Sequence, residues 1–356
     1  MGGVNRRLRR RRPITLLVGL GLVAVVAVLA ASCSSSEETA ATTTTSTIPL
    51  DEAMALNQIQ VIGSHNSYHV SNYDQIKDVS PLAVALDYTH QPLAEQLDGG
   101  LRSLELDVWL QDDGALHVLH FPGFDPISVC DLFTDCLTEV RDWSTAHPDH
   151  VPIGILVEVK ATAEELGTHG IDQIDEEIRS VFDERSLITP DDVRGDRPTL
   201  ADAVPYGWPT LAEARGRVMF AMDNEDAVRD LYAEGRPSLE GRVLFTSSAR
   251  GRPDAAFIKL NDPLVDRDKI RRLVAAGYIV RTRADSDVLG AVNGDTVGRR
   301  RAFASGAQWV STDFPATEPP ARSSGYTVEF PDGGFTRCNV VNGPERCTDA
   351  DLEPEG

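Results

Sequence analysis

The sequence predicts an α/β fold, a (β/α)8 barrel of TIM type, on three observations. Short β-branched, apolar runs recur along the chain, amphipathic helical stretches separate several of them, and polar residues gather at their C-terminal ends. The runs are Gln60–Gly63, Leu104–Val108, Leu116–His120, Ile153–Glu158, Arg217–Met222, Ala256–Lys259, Tyr278–Arg281 and Gln308–Ser311, each reading as a short buried strand. Val243–Phe245 is a further candidate. Helical patterns fill Leu132–Ala146, Ile171–Phe182, Asp266–Ala276 and Thr296–Ser305. Alternating strands and helices imply a parallel sheet, and eight strands over about 260 residues imply a closed barrel, whose chemistry sits at the C-terminal strand ends.

The polar residues at those ends give the expectation content. His65 and Asn66 follow the first run, Glu105 and Asp107 lie in the second, His120 ends the third and Glu158 the fourth. The period of two in a strand sends Glu105 and Asp107 to one face, with Leu106 on the other. Like charges that close require a cation between them or a raised pKa. Asn66 and Glu158 complete an all-oxygen, carboxylate-rich set, suited to Ca²⁺ ahead of Mg²⁺ and too poor in nitrogen and sulfur for zinc. A single Glu-x-Asp is ordinarily a solvated strand face; its recurrence with partners at four run ends is what points to a site. Lys160 shares the face of Glu158, and Arg281, Arg283 and Asp285 follow the seventh run, where they suit a phosphate or a polyol. His117 falls on the opposite face from His120, and His69 lies on a loop.

The chain has 356 residues, 41% of them hydrophobic, enough for one large core. Six arginines between Arg6 and Arg12 precede an apolar run from Ile14 to Ala31, which reads as an export signal. Residues 1–33 end in Leu29-Ala30-Ala31-Ser32-Cys33, which resembles a bacterial lipobox with Cys33 as the lipidated residue. Residues 34–50 are a Ser/Thr-rich tether, and the folded domain is expected over 51–356. Loss of the first 32 residues removes six positive and no negative charges, taking the net charge from −21 to −27. So acidic a surface argues against nucleic acid as a partner. Cys130, Cys136, Cys338 and Cys347 remain, an even number that fits disulfides in an exported chain, with sequence proximity favouring 130–136 and 338–347. The Pro/Gly-rich stretch from Pro315 onward then becomes a pinned tail, and the expected assembly is a monomer attached to the membrane by its lipid.

Taken together, several segments resemble the calcium-dependent bacterial type of phosphatidylinositol-specific phospholipase C, of the phospholipase C-like phosphodiesterase superfamily. They are Val61–His69, Gln96–Trp109, Trp143–Pro148 leading to Glu158 and Lys160, Asn261-Asp262-Pro263, Gly277–Asp285, Ser305–Pro315 and Arg337-Cys338-Asn339. The resemblance implies His65 and His120 as the catalytic pair and Asn66, Glu105, Asp107 and Glu158 as Ca²⁺ ligands. It implies attack of an inositol 2-hydroxyl on the phosphodiester of an inositol phospholipid, releasing diacylglycerol and a cyclic inositol phosphate. A glycerophosphodiester phosphodiesterase is the nearest rival, but such enzymes have Arg-Gly where this chain has Asn66-Ser67. A lipoprotein that binds a headgroup without cleaving it is the non-enzymatic alternative.

Overall fold

The computed structural model describes residues 48–353, the side chains at 81 and 82 excepted. The expected signal, lipobox and nearly all of the tether lie outside the described residues. Among those described, no helix is long and apolar enough to cross a membrane.

Eight parallel strands make the barrel: β1 (Ile59–Ser64), β2 (Ser103–Leu110), β4 (Ile153–Val159), β6 (Val218–Met222), β7 (Phe245–Thr246), β8 (Phe257–Lys259), β9 (Ile279–Arg283) and β10 (Trp309–Thr312). They pair in that order, and β10 returns to β1 with Val61 opposite Trp309 and Ser64 opposite Thr312. The ring is thinnest between β7 and β8, which meet through the single bridge Ser247–Phe257. Among the described residues three further strands join the sheet. β3 (Leu116–Val118) and β11 (Thr336–Cys338) run antiparallel to β2 and β1, and β5 (Leu187–Ile188) lies parallel to the start of β6.

The run Leu116–His120 is therefore not a barrel strand. It forms a hairpin with β2, pairing Val108 with Val118 and Leu110 with Leu116. Only Gln111–Ala115 separates the two, and a parallel crossover needs a dozen or more residues; Gly114, at φ +81°, makes the turn instead. The eighth barrel strand comes from the Val243–Phe245 candidate, one residue on.

The helices follow their local signals. Phe133–Ala146 and Val297–Ser305 lie within a residue of expectation, and Pro263–Ala275 begins at the Asp262 cap with proline in its first turn. Ala163–Val181 opens with a turn before the expected Ile171, because Thr162 and Glu165 form a capping box, and it is broken at Gly167, φ +56°, before the helix continues through Ile171. Both expected disulfides are present, Cys130–Cys136 and Cys338–Cys347. The tail lies along the barrel, with Leu352 buried and Glu353 paired to Arg102 Nε at 2.6 Å.

The amino end of the barrel is apolar. Trp309 packs against Phe257 with the rings tilted and 5.1 Å between their centroids. Gly154 is required beneath it, since a Cβ there would lie 2.3 Å from the indole. Buried charged side chains, Glu105, Asp107, Asp285 and Asp313 among them, gather at the carboxyl end.

Candidate active site

The turn after β1 begins the site. Asn66 holds φ at +47°, a left-handed conformation asparagine tolerates. It swings Ser67 onto β2, where the Ser67 amide donates to Glu105 O at 2.9 Å and the Glu105 amide donates to Ser67 Oγ at 2.7 Å. Along β2, Leu104, Leu106 and Val108 are wholly buried on the helix side, leaving Glu105 and Asp107 on the other face. Asp107 is in register with Glu158 of β4, so Glu105, Asp107 and Glu158 each offer an oxygen within 4.8 Å of the others.

Two protein cations stand among these acids. Lys160 Nζ is 2.8 Å from Glu158 Oε1 and 3.0 Å from Asp107 Oδ2, and Arg281 donates to Glu105 and to Asn261 Oδ1. The charge remains undercompensated: Asp107 Oδ1 has no partner of hydrogen-bond geometry, and Oδ2 has the Lys160 ammonium alone. Burial pushes Glu105 up to about 8 against the pull of Arg281, with Asp223, Asp107 and Glu158 adding to the rise. Burial likewise raises Asp107 to about 7, opposed by Lys160 and reinforced by Glu158. Converging carboxylate oxygens at this spacing, three acids to two cations, fit a hard, oxygen-seeking cation, whose ligands lie roughly 2.3–2.6 Å from it. Lys160 occupies the place such an ion would contest, and its own ammonium, penalised by burial but held by Asp107 and Glu158, is raised to about 12.

Each histidine is oriented by an aspartate. His65 Nδ1 lies 2.6 Å from Asp313 Oδ1, and Arg283 Nη1 donates to His65 Nε2 at 3.2 Å. Burial first, then Arg283 and Arg281, hold His65 well below the usual histidine range. It is thus neutral, with its proton on Nδ1 and its lone pair on Nε2. His120 Nδ1 donates to Asp125 Oδ2 at 2.8 Å, and buried His69 meets the same oxygen through Nε2 at 2.9 Å. Burial pushes Asp125 up, and the hydrogen bonds from His120 and His69 more than reverse it, leaving the acid at about 2. Arg283 also pairs with Asp313 at 2.9 Å and Asp285 at 3.4 Å. Asp285 accepts from Thr312 Oγ1 and from the Asp313 amide.

Most of the expected residues thus gather around one mouth: His65 beside Glu105 at 3.8 Å, Glu105 with Asp107 and Glu158, Lys160 between two of these acids, and Arg281 and Arg283 facing Glu105 and His65; Asn66, on the turn after β1, donates from Nδ2 to Tyr88 Oη at 3.1 Å. Asp285 acts on Arg283 and the β10 turn. His117 pairs instead with Asp113 and Asp131 outside the mouth. Sequence reading missed Asp125, Tyr88, His90, Lys259 and Glu318. His90 bridges Glu318 Oε2 at 2.5 Å and the His65 carbonyl at 2.9 Å, fixing the backbone of His65 from below. Asp125, five positions after His120, had a local signal; Glu318 is 228 residues from His90 and had none.

Two aspartate-oriented histidines over an oxygen-lined cation pocket are the equipment of a metal-dependent phosphodiesterase. The family model described as phosphoinositide phospholipase C, Ca²⁺-dependent, matches residues 54–117 and 112–340, and the chain belongs to that family. It is accordingly a phosphatidylinositol-specific phospholipase C in class, and its cation is Ca²⁺. Among solved structures it is similar to the calcium-dependent phosphoinositol-specific phospholipase C of a Pseudomonas sp., at 20% identity over 82% of this chain and 97% of the other, with a TM-score of 0.58. The myoinositol complex from the same source matches at 0.56, likewise at 20% identity over 82% and 97%. A Ca²⁺-dependent phosphatidylinositol-specific enzyme from Streptomyces antibioticus matches at 20% identity over 73% and 95%, with a TM-score of 0.52. At such identities the likeness is one of fold. No curated protein matches the chain.

Proposed function

We propose that this enzyme is exported, carries lipid on Cys33, and cleaves phosphatidylinositol-like lipids to diacylglycerol and a cyclic inositol phosphate. The observation that carries the chemistry is the division between the histidines. His65, neutral with an accepting Nε2, is the base for the inositol 2-hydroxyl. His120, its Nδ1 fixed by Asp125, gives a proton from Nε2 to the leaving glycerol oxygen. Arg283, now donating to His65 Nε2, turns to the phosphate when substrate arrives. Asn66, Glu105, Asp107 and Glu158 hold the cation, and Lys160 and Arg281 give up carboxylates to it and bind substrate with Asp285 nearby. Ca²⁺, when bound, acts as a Lewis acid, easing ionisation of the 2-hydroxyl and offsetting charge on the phosphate.

Export is supported by the two disulfides and by the arginine-led apolar leader. Phosphorus NMR of phosphatidylinositol in mixed micelles tests the reaction. A cyclic inositol phosphate signal that needs Ca²⁺ and disappears in His120→Ala is the expected result. Inertness toward this lipid with Ca²⁺ present would remove the proposal. Mass spectrometry of the processed N-terminus tests the anchor: a diacylglyceryl group on Cys33 supports it, and an unmodified or uncleaved terminus rejects it.

A further inference from the structure

The chain carries a net charge of −21, and most of its surface cations are engaged by its own acids, as Lys77 is by Asp74, Arg141 by Asp142, Arg194 by Asp191 and Arg215 by Asp51. The exceptions concentrate on two neighbouring helices, Pro263–Ala275 and Val297–Ser305, whose acids are Asp266 and Asp268 alone. Arg267 pairs with Asp268 at 2.8 Å. Among the described residues Lys269, Arg271, Arg272, Arg300 and Arg301 are exposed, and none forms an ion pair with a carboxylate. The helices are tied side by side: Arg271 Nη1 donates to Ala304 O at 2.6 Å, and Arg301 Nη1 donates to Leu264 O at 2.7 Å. An apolar side chain leads each basic stripe. Val265, 79% exposed, lies one and two turns before Lys269 and Arg272 on the same helix face, and Val297, 37% exposed, stands likewise before Arg300 and Arg301. The first of these helices starts just past the end of β8, so Val265 is at the mouth end of the barrel.

We propose, building on the lipid-cleaving reading above, that these two helices form a docking surface for a bilayer rich in anionic phospholipid, against which they hold the mouth. A lipid of the class proposed as substrate carries a phosphodiester anion and makes its own surface negative. A domain of this net charge is repelled from such a surface except where its cations stand unpaired, and the unpaired cations are here. An apolar tip followed by cations along one helix face suits the lipid–water boundary: the valines enter below the headgroups, and the long basic side chains reach the phosphates. A soluble polyanion would use the cations and leave the valines in water.

The test places an environment-sensitive fluorophore on full-length Val265→Cys and adds vesicles of phosphatidylcholine, alone or with an equal part of phosphatidylglycerol, so that no turnover is needed. The emission shifts to the blue with the mixed vesicles and not with phosphatidylcholine alone, and the shift weakens as salt is raised. Lys269→Glu with Arg272→Glu abolishes it, and so does Arg300→Glu with Arg301→Glu, so the test survives poor folding of either pair. In mixed micelles each pair raises KM for phosphatidylinositol by roughly tenfold and leaves kcat unchanged. No charge-dependent shift at Val265, or one that persists in both pairs, would overturn the docking surface while leaving the phosphodiesterase reading in place. A shift with polyphosphate in solution and none with vesicles would make the partner a soluble polyanion and overturn it equally. Docking without turnover of phosphatidylinositol would remove the phosphodiesterase reading and leave the surface.

Discussion

At its amino end the barrel is closed by Trp309 resting on Gly154, with Ile153, Met219 and Ile279 buried around it; at its carboxyl end Glu105, Asp107, Asp285 and Asp313 are almost as deeply buried but ionisable. The strands are the same, yet one end fills its volume with apolar atoms and the other with ionisable groups. The first arrangement stabilises by burial and close packing. The second costs stability unless a cation or proton neutralises it. Stability and chemistry are thereby separated along the barrel axis, and the separation can be probed from either end.

The largest effect is expected at the mouth. Asp313→Asn keeps the shape of the site but no longer enforces the Nδ1–H tautomer of His65, and kcat should fall on the order of 10³–10⁴-fold with little change in melting temperature. A loss of less than tenfold in steady-state assays would remove His65 from the chemistry.

Without Ca²⁺, the pH dependence of stability should carry the signature of the buried acids. Glu105 and Asp107 have folded pKa values of about 8 and about 7, above their unfolded values. The folded state therefore binds more protons, and the stabilisation is present in full below about pH 4 and lost as pH rises through 7 to 8. Denaturant titrations in chelator should show stability falling on the order of several kcal/mol between pH 5 and pH 8.5, and Ca²⁺ should flatten the slope. A slope unaffected by Ca²⁺ would break the link between these acids and the ion.

At the other end, Gly154→Ala places a methyl group into the Trp309 ring. It should cost about 1–3 kcal/mol, seen as a lower denaturation midpoint, with turnover per folded molecule preserved. A simultaneous fall in kcat would show that the two ends are not separable.

The smallest effect reverses the pH slope. His150 precedes β4 at the amino end, buried between Ser144 and the Val151 carbonyl, and burial holds it down at about 4. Its contribution is complete above pH 6.5 and is lost as pH falls toward 4. Between pH 7 and pH 5 the wild type should lose about 1–2 kcal/mol that His150→Gln does not. Equal acid sensitivity of the two proteins in thermal melts would assign that loss elsewhere.

Much of this was readable before folding. The period of two placed Glu105 with Asp107, strand ends placed His65 and Glu158, and the Thr162–Glu165 spacing carried a helix start that an apolar periodicity alone set too late. The error over Leu116–His120 was also correctable from sequence, because five residues cannot make a parallel crossover. The His120–Asp125 pair, five positions apart, was within local reach; that His69, 56 positions from Asp125, meets the same oxygen was not.

The sequence by itself determined the strand and helix periods, the residue types at each strand end and therefore the hard-cation character of the site, since these depend on contacts a few residues apart or on side-chain chemistry alone. Only the tertiary structure decided which strand closes the ring, which aspartate orients which histidine, and which acid holds each cation. Those depend on pairs such as His65–Asp313 and Arg281–Glu105, 248 and 176 residues apart. A pairing over that distance is fixed by the closure of the barrel, and local sequence carries no trace of it.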